Sequence, residues 1–382
     1  MSSSIASADD QQAFMWNRFR YPIERYAQRD AIKIADVIVK LQRPTGGWGK
    51  TVAPDEGYST VSLEAVAALE YSLSLLHDGA SKTSTYSHHA TTLDNGATHS
   101  HIRYLMRVAR ATKDIKYQKS AITGLHYLLD AQLESGGWPQ NYPNMSSYGG
   151  HITFNDGAMA GALTALQEVA TGEYYFIKPA LMKQVQMAID LGVEFILRSQ
   201  IVISGKRTVW CAQHNNVDYK PEGGRIYELP SLSGAESVGI IKVLMRIDRP
   251  NARVIASIKS AVNWLYEAKI EHIYLTKVPD EKYTGKFHLQ IKEDPSGEKT
   301  RSYSYLGRGY DLEVVAGGHR PMWARFYDLS SQKPIFAGWD GVAKSSLSLI
   351  DYERRVGYMW YGYWAETLLK RDLPRWKKKW ID

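Results

Sequence analysis

Leu41–Lys50 reads LQRPTGGWGK, and Ala131–Gln140 reads AQLESGGWPQ. Each stretch follows a segment whose apolar residues recur at a 3.6 period, Arg29–Leu41 before the first and Lys116–Gln132 before the second. In each, glycines stand where a helix can stop in the left-handed conformation, and the Trp that follows can fold back over the helix end. Ile196–Gln200 (ILRSQ) with Val209–Cys211 reads as a third, looser copy. Asn263–Ile270 (NWLYEAKI) reads as the end of a fourth helix. Helix hairpins repeated in this way cannot bury both faces alone, and closing them into a ring of inner and outer helices solves that problem. The expected fold class is all-α dominated: an α/α toroid with short β-strands in long loops. A plain helical bundle is the alternative.

Outward from the repeats, the same period predicts helices over Thr60–Leu76, Asn95–Ala111, Ala158–Ala170, Lys178–Arg198, Ala235–Ile247, Arg253–Ala268 and Tyr358–Leu369. Gly205–Pro230 and Ile270–Phe336 are long connections rich in Gly, Pro, Tyr and charge, with strand-like stretches at Ile273–Val278 and Phe287–Ile291. Connections of that length tend to carry function. With no low-complexity linker in view, residues 1–382 are expected to form a single catalytic domain, with an N-terminal extension over 1–24 and a loop- and strand-rich insertion over 270–336. Lys377–Lys379 reads as a solvated tail.

The chain has 382 residues, 44% hydrophobic and 23% charged, as soluble globular proteins do. Its apolar runs fall short of a membrane span, so no membrane partner is expected. Tyr (25) and Trp (11) outnumber Phe (8), a bias that suits half-wet sugar clefts and large cores equally. The net charge of +7 admits a polyanionic partner. Nucleic acid is not expected, because no helix-turn-helix, zinc finger or Gly-rich phosphate loop accompanies the charge. Cys211 is the single cysteine, so no internal disulfide is possible. Met1–Trp16 has no basic segment followed by an apolar one and is not expected to be a secretory leader.

Short polar groups concentrate at two predicted helix starts: Thr91–Ser100 (TTLDNGATHS) and His151–Met159 (HITFNDGAM). Asp94 and Asp156 suit helix N-caps. As carboxylates beside amide and carbonyl oxygens, they equally suit a hard cation such as calcium. His88, His89, His99 and His101 lie close by, but no H-E-x-x-H spacing supports zinc. A third segment, Thr208–Ser237, packs Trp, His, Lys, Arg, Tyr and Glu into a Gly/Pro-rich loop, with Arg225 after two glycines. A fourth, Arg301–Arg325, holds Arg301, Arg308, Arg320 and Arg325 among many tyrosines. Arginine forks suit carboxylates, and such a cluster fits a partner with a repeated carboxylate, although each residue alone suits a surface ion pair.

SGGWPQNYP (Ser135–Pro143), HITFNDGAM, VWCAQH (Val209–His214) and YELPSLSGAES (Tyr227–Ser237) together resemble the motifs of polysaccharide lyase family 10, the pectate lyases. MWARFYDL (Met322–Leu329) and the closing GYMWYGYW agree, so the resemblance spans roughly residues 25–380. It implies a helical toroid and calcium-assisted β-elimination on polygalacturonate, with calcium as cofactor, polygalacturonic acid as partner, a monomer, and secretion. In that chemistry the galacturonate carboxylate must be neutralised before the poorly acidic C-5 proton can leave. The resemblance implies an arginine as Brønsted base, carried over to Arg225 of the R-x-Y-E-x-P-S match. It implies Asp94 and Asp156 as calcium ligands. Asn95, Arg308, Arg320 and Tyr227 are the implied substrate-binding residues, and Tyr227 and Trp210 either line the sugar path or pack the loop. Gly96 stands where a second acidic residue would be expected.

Three other readings stay open at the level of sequence. Q-x-x-x-G-x-W at Gln42–Trp48 and Gln132–Trp138 resembles the repeat of triterpene cyclases, but the acidic D-x-D-D motif is absent and the repeat reads as structural. An inverting glycoside hydrolase on an α/α toroid would use Asp94 and Asp156 as acid and base. A non-catalytic binder of acidic polysaccharide would leave its polymer intact.

Overall fold

The computed structural model describes residues 16, 18–50, 90–283, 287–293, 299–305 and 308–382. The predicted helix at Thr60–Leu76, most of the 1–24 extension, and His88 and His89 lie outside the described residues. The chain forms two compact units, Met1–Arg198 with Asn216–Asp218, and Ser199–Asn215 with Tyr219–Asp382. Among the described residues no helix is long and apolar enough to cross a membrane.

Among the described residues the first unit contains α1 (Arg29–Lys40), α2 (His99–Thr112), α3 (Ile115–Asp130), α4 (Ala158–Ala170) and most of α5 (Pro179–Ser199). α1 buries Ala31, Ile34, Ala35 and Ile38, the stripe that its period requires. Both copies of the repeat take the same conformation. Gly46 and Gly136 each have φ of 94°, so only glycine is comfortable there. Trp48 folds back to donate from Nε1 to the Ile38 carbonyl at 2.8 Å, and Trp138 to the Leu128 carbonyl at 2.7 Å. Gln42 Nε2 donates to the carbonyls of Gly46 (2.8 Å) and Ser120 (3.0 Å), tying its turn to α3. Gln132 Nε2 does the same to Gly136 (2.8 Å) and Ala188 (2.9 Å), tying its turn to α5. A glycine in the receiving helix makes room for each indole. A Cβ on Gly124 would approach Trp48 to 3.0 Å, and one on Gly192 would approach Trp138 to 2.9 Å.

The second unit contains α6 (Glu236–Met245), α7 (Ala252–Glu267), α8 (Tyr352–Gly357) and α9 (Leu373–Trp380). The looser third copy uses the same anchor: Gln200 Nε2 donates to Thr208 O (2.8 Å) and to Ser257 O in α7 (3.1 Å). The fourth helix end is covered by Trp323, whose Nε1 donates to Leu265 O at 2.8 Å after the chain has run through the whole strand-rich insertion. Within that insertion Ile273–Pro279 pairs antiparallel with Tyr310–Ala316, and Phe287–Glu293 with Lys299–Tyr305. A core of Phe326, Phe336, Leu347, Ile350 and Trp360 backs it.

Two predicted boundaries move. α2 begins at His99 rather than Asn95, because Asn95 adopts φ 49° and a short turn precedes the helix. The helix expected over Tyr358–Leu369 does not form as one element. Tyr361–Gly362 is a strand paired with Trp323–Ala324, a π-helical turn covers Leu368–Asp372, and α9 follows. Gly357 and Gly362 disfavour a continuous helix. The aromatics at Tyr358 and Trp360 are spent on tertiary contacts, Tyr358 Oη to Glu228 (2.7 Å) and Trp360 Nε1 to Arg354 O (2.9 Å).

Candidate functional site

Two groups of side chains stand out, one in each unit. In the first unit, Asp94–Gly96 (DNG) and Asn155–Gly157 (NDG) form matching single turns directly before α2 and α4, and the two turns touch. Asn95 (φ 49°) and Asp156 (φ 48°) sit in the left-handed region that short polar side chains tolerate. Neither aspartate is the N-cap that the sequence allows. Those positions belong to Thr98, whose N–H is taken by His101 Nδ1 at 3.0 Å, and to Gly157. The helices start beyond the turns, which leaves the carboxylates for other partners.

Asp94 is 4% exposed. Its Oδ2 accepts from Lys50 Nζ at 2.6 Å, and its Oδ1 is buried with no hydrogen-bond partner. Gln140 Oε1 is a second buried acceptor without a partner. Both residues line a cavity of about 230 Å³ with Lys50, Thr92, Asn141 and Tyr148. Asn155 Nδ2 donates to Asp156 Oδ2 at 3.0 Å. Unpaired buried oxygens are costly. Here they are hard donors, and the set fits calcium better than a soft metal. Among the described residues no three His, Cys, Asp or Glu side chains gather into a metal cluster, and Asp156 does not line this cavity, so a cation held by Asp94 there would draw its other ligands from amides, water or a bound anion.

The neighbouring histidines His99 and His101 are buried. Burial pushes the His99 imidazole down to about 3, so it is neutral at pH 7. In the second unit His214 is likewise neutral, pushed down to about 4 by burial. Its Nε2 accepts from Cys211 N (3.0 Å) and its Nδ1 faces Tyr219 O (2.9 Å), which explains the VWCAQH stretch as a packed corner.

The second group centres on Arg225. Its Nε donates to Glu228 Oε2 at 3.0 Å and its terminal nitrogen to Oε1 at 2.6 Å, while the Arg225 backbone N–H also meets Oε2 at 2.8 Å. A Cβ on Gly224 would lie 2.5 Å from Glu228 Oε2, so a larger residue there would press on the fork. The Arg225 guanidinium lies 5.0 Å from the Tyr227 ring and 5.5 Å from that of Tyr358. A second arginine, Arg354, lies 4.6 Å from the Tyr227 ring and 4.7 Å from that of Trp339. Burial works against the Arg225 charge, but the Glu228 hydrogen bond and charge outweigh it and hold the guanidinium above its ordinary value. Burial opposes the Glu228 charge too, and Arg225 reverses that, keeping the carboxyl below its usual range.

Of the other sequence candidates, Tyr227 belongs to the Arg225 group and the arginines of the later segment lie apart from one another in their own pairings. Tyr227 is 1% exposed, and its ring is a packing centre for both arginines. Arg308 lines a cavity of about 250 Å³ with Lys277, Tyr310, Arg355 and Tyr358. Arg355 there is held by Asp311 (2.7 and 2.6 Å). Arg320 pairs with Glu366 and lies 3.9 Å from the Tyr363 ring. Arg325 is buried against Glu236. Sequence reasoning missed Lys50, Gln140, Glu228, Trp339 and Arg354. Glu228 carried a local signal, its place three residues after Arg225 in the quoted loop, and Lys50 and Gln140 close the two quoted copies of the repeat.

Comparison with known proteins adds to this geometry. A family model described as pectic acid lyase matches residues 42–369. No curated protein matches the chain. Among solved structures, a family 10 polysaccharide lyase from Cellvibrio cellulosa is 25% identical, with a TM-score of 0.68 over 98% of this chain and 98% of that one. A mutant of a family 10 polysaccharide lyase from the same organism, in complex with trigalacturonic acid, is 24% identical, with a TM-score of 0.69 over 97% of this chain and 100% of that one.

Proposed function

Because the chain belongs to the pectic acid lyase family and is a polysaccharide lyase, we propose that it cleaves α-1,4-linked polygalacturonate by calcium-dependent β-elimination, leaving 4,5-unsaturated oligogalacturonides. The observation that carries this reading is the ring-lined arginine cluster of Arg225 and Arg354 about Tyr227. Two guanidinium groups held over aromatic rings suit a polymer that offers a carboxylate on every sugar.

Asp94 and Asp156 are the proposed calcium ligands, with Asn95 and Gln140 as neighbouring polar groups. Bound calcium would neutralise the substrate carboxylate and let negative charge spread into it as the C-5 proton leaves. Arg225 is the proposed acceptor of that proton, with the C-4 oxygen leaving. Guanidinium is ordinarily protonated. In this structure Glu228 holds the proton on more firmly, so the base role needs Arg225 to change its partner in the substrate complex. The same fork supports a second role in the same elimination, in which Arg225 stays charged and stabilises the carboxylate. Arg308 and Arg320 are proposed grips on more distant carboxylates. We extend the reading to an α/α toroid, supported by the recurring Gln anchors, and to a secreted monomer.

The test is ultraviolet absorbance during incubation with polygalacturonate, first with calcium and then with chelator. An absorbance rise abolished by chelator and by Arg225→Ala is expected. Chain cleavage without a rise would overturn elimination.

A further inference from the structure

We propose that Trp339 is a stacking platform for one pyranose ring of the polyuronate, set beside the arginine cluster. The inference rests on the polygalacturonate reading. Trp48, Trp138, Trp210, Trp323 and Trp360 are all at most 2% exposed, whereas Trp339 is 54% exposed.

This exposed indole is not loose. Its Nε1 donates to Glu353 Oε2 at 2.6 Å, and its backbone N–H donates to Asp351 Oδ1 at 3.0 Å. Its ring meets Tyr227 edge-on, with centroids 5.3 Å apart and an interplanar angle of 88°. Glu353 also accepts from Arg354 Nε at 2.8 Å, so one carboxylate sets both the indole and the second arginine. The loop that carries Trp339 is pinned at its base by Phe336 and Lys344, which exchange backbone bonds of 3.0 and 2.7 Å. Gly341, at φ 66°, bends it against Ile226, the residue after Arg225. Ile226 and Val342 are themselves 54% and 52% exposed and extend the apolar surface.

A large apolar face kept in water by three separate anchors is a preorganised contact surface. Tyr and Trp supply such area at low entropic cost, with the polar edge satisfied elsewhere. The neighbours select the ligand. Arg354 lies 4.7 Å from the indole and Arg225 shares the Tyr227 ring with it, and a galacturonate ring has an apolar C–H face with a carboxylate at its edge. The indole would carry the face and an arginine the edge. Stacking is indifferent to charge, so the contribution of Trp339 should be equal on acidic and methyl-esterified sugars.

The experiment titrates oligogalacturonate into the wild type, Trp339→Ala and Trp339→Phe by calorimetry, and measures KM and kcat on polygalacturonate of low and moderate esterification. The proposal expects Trp339→Ala to weaken binding and raise KM about tenfold, the scale of one aromatic contact. It expects Trp339→Phe to restore most of the loss, equally on both substrates, with melting temperatures unchanged. Unaltered affinity and KM in Trp339→Ala, while the wild type binds and cleaves, would overturn the platform and leave the lyase reading intact. Binding weakened by Trp339→Ala without cleavage by the wild type would support the platform and overturn the reaction. A wild type that neither binds nor cleaves would overturn both.

Discussion

Arg225 and Glu228 are locked by two parallel hydrogen bonds, Nε to Oε2 at 3.0 Å and a terminal nitrogen to Oε1 at 2.6 Å. Tyr358 Oη donates to the same Oε1 at 2.7 Å. The fork positions the guanidinium, and it also raises the cost of deprotonating it. A base at this position would work against its own partner, whereas a charged stabiliser would be helped by it.

Glu228→Gln separates the two roles. Removing the carboxylate charge lowers the pKa of Arg225, so activity that depends on neutral arginine should rise at lower pH. The ascending limb of kcat/KM, which reports deprotonation of the base, is expected to move down by about one unit, the scale of one charge-assisted hydrogen bond. A pH profile that keeps its position while kcat falls would instead assign Arg225 to charge stabilisation. Arg225→Lys should lose most activity in either case, because an ammonium cannot reproduce the fork.

Calcium affinity gives a test that needs no turnover. Lys50 Nζ lies 2.6 Å from Asp94 Oδ2 and occupies part of the carboxylate that a cation would use. Asp94→Asn removes a formal charge from the ligand set and should weaken calcium binding about tenfold or more. Lys50→Met removes a competing positive charge and should strengthen it. Calorimetric titration of the free protein reads both, and a Lys50→Met variant that binds calcium more weakly would mean that the lysine supports the site.

The repeat was legible because its information is local. Gln132, Gly136 and Trp138 lie within one turn, and their spacing alone implies the helix stop and the folded-back indole. Trp323 does the same work for α7, but the insertion separates it from the helix end it covers, so no spacing reveals it. Asp94 and Asp156 were visible as acids in Asp- and Gly-containing turns. That they are not N-caps depended on the left-handed angles at Asn95 and Asp156, which residue type permits without requiring. Arg354, Trp339 and Tyr358 converge on Tyr227 from more than a hundred positions away, a meeting that only tertiary structure makes.

Gln132 offers a stability test outside both groups of candidate site residues. Its amide bridges its own turn to α5 through two carbonyls, Gly136 O and Ala188 O. Gln132→Ala leaves both acceptors without that donor and should cost about 2 kcal/mol. Thermal melting should register the loss, while KM on polygalacturonate stays as in the wild type. A stable Gln132→Ala variant would mean that the repeat's anchor is dispensable and that indole burial alone sets the turn.

Acid should destabilise the protein through its buried histidines. His99 is neutral in the fold, pushed down to about 3 by burial, and its Nε2 has no hydrogen-bond partner. The unfolded chain takes up a proton on this residue below about 6.5, while the folded chain does not. Between those values the unfolded state binds more protons, so stability falls as pH falls, by at most about 1.4 kcal/mol per unit. His214 adds to the same trend from 6.5 down to about 4. His99→Phe keeps a planar ring and removes the titrating nitrogen. Its melting temperature should therefore fall less steeply than that of the wild type between pH 6.5 and 4. Parallel curves for the two proteins would mean that His99 gains a proton without unfolding, and that the ring against Gly161 is less sealed from water than its burial implies.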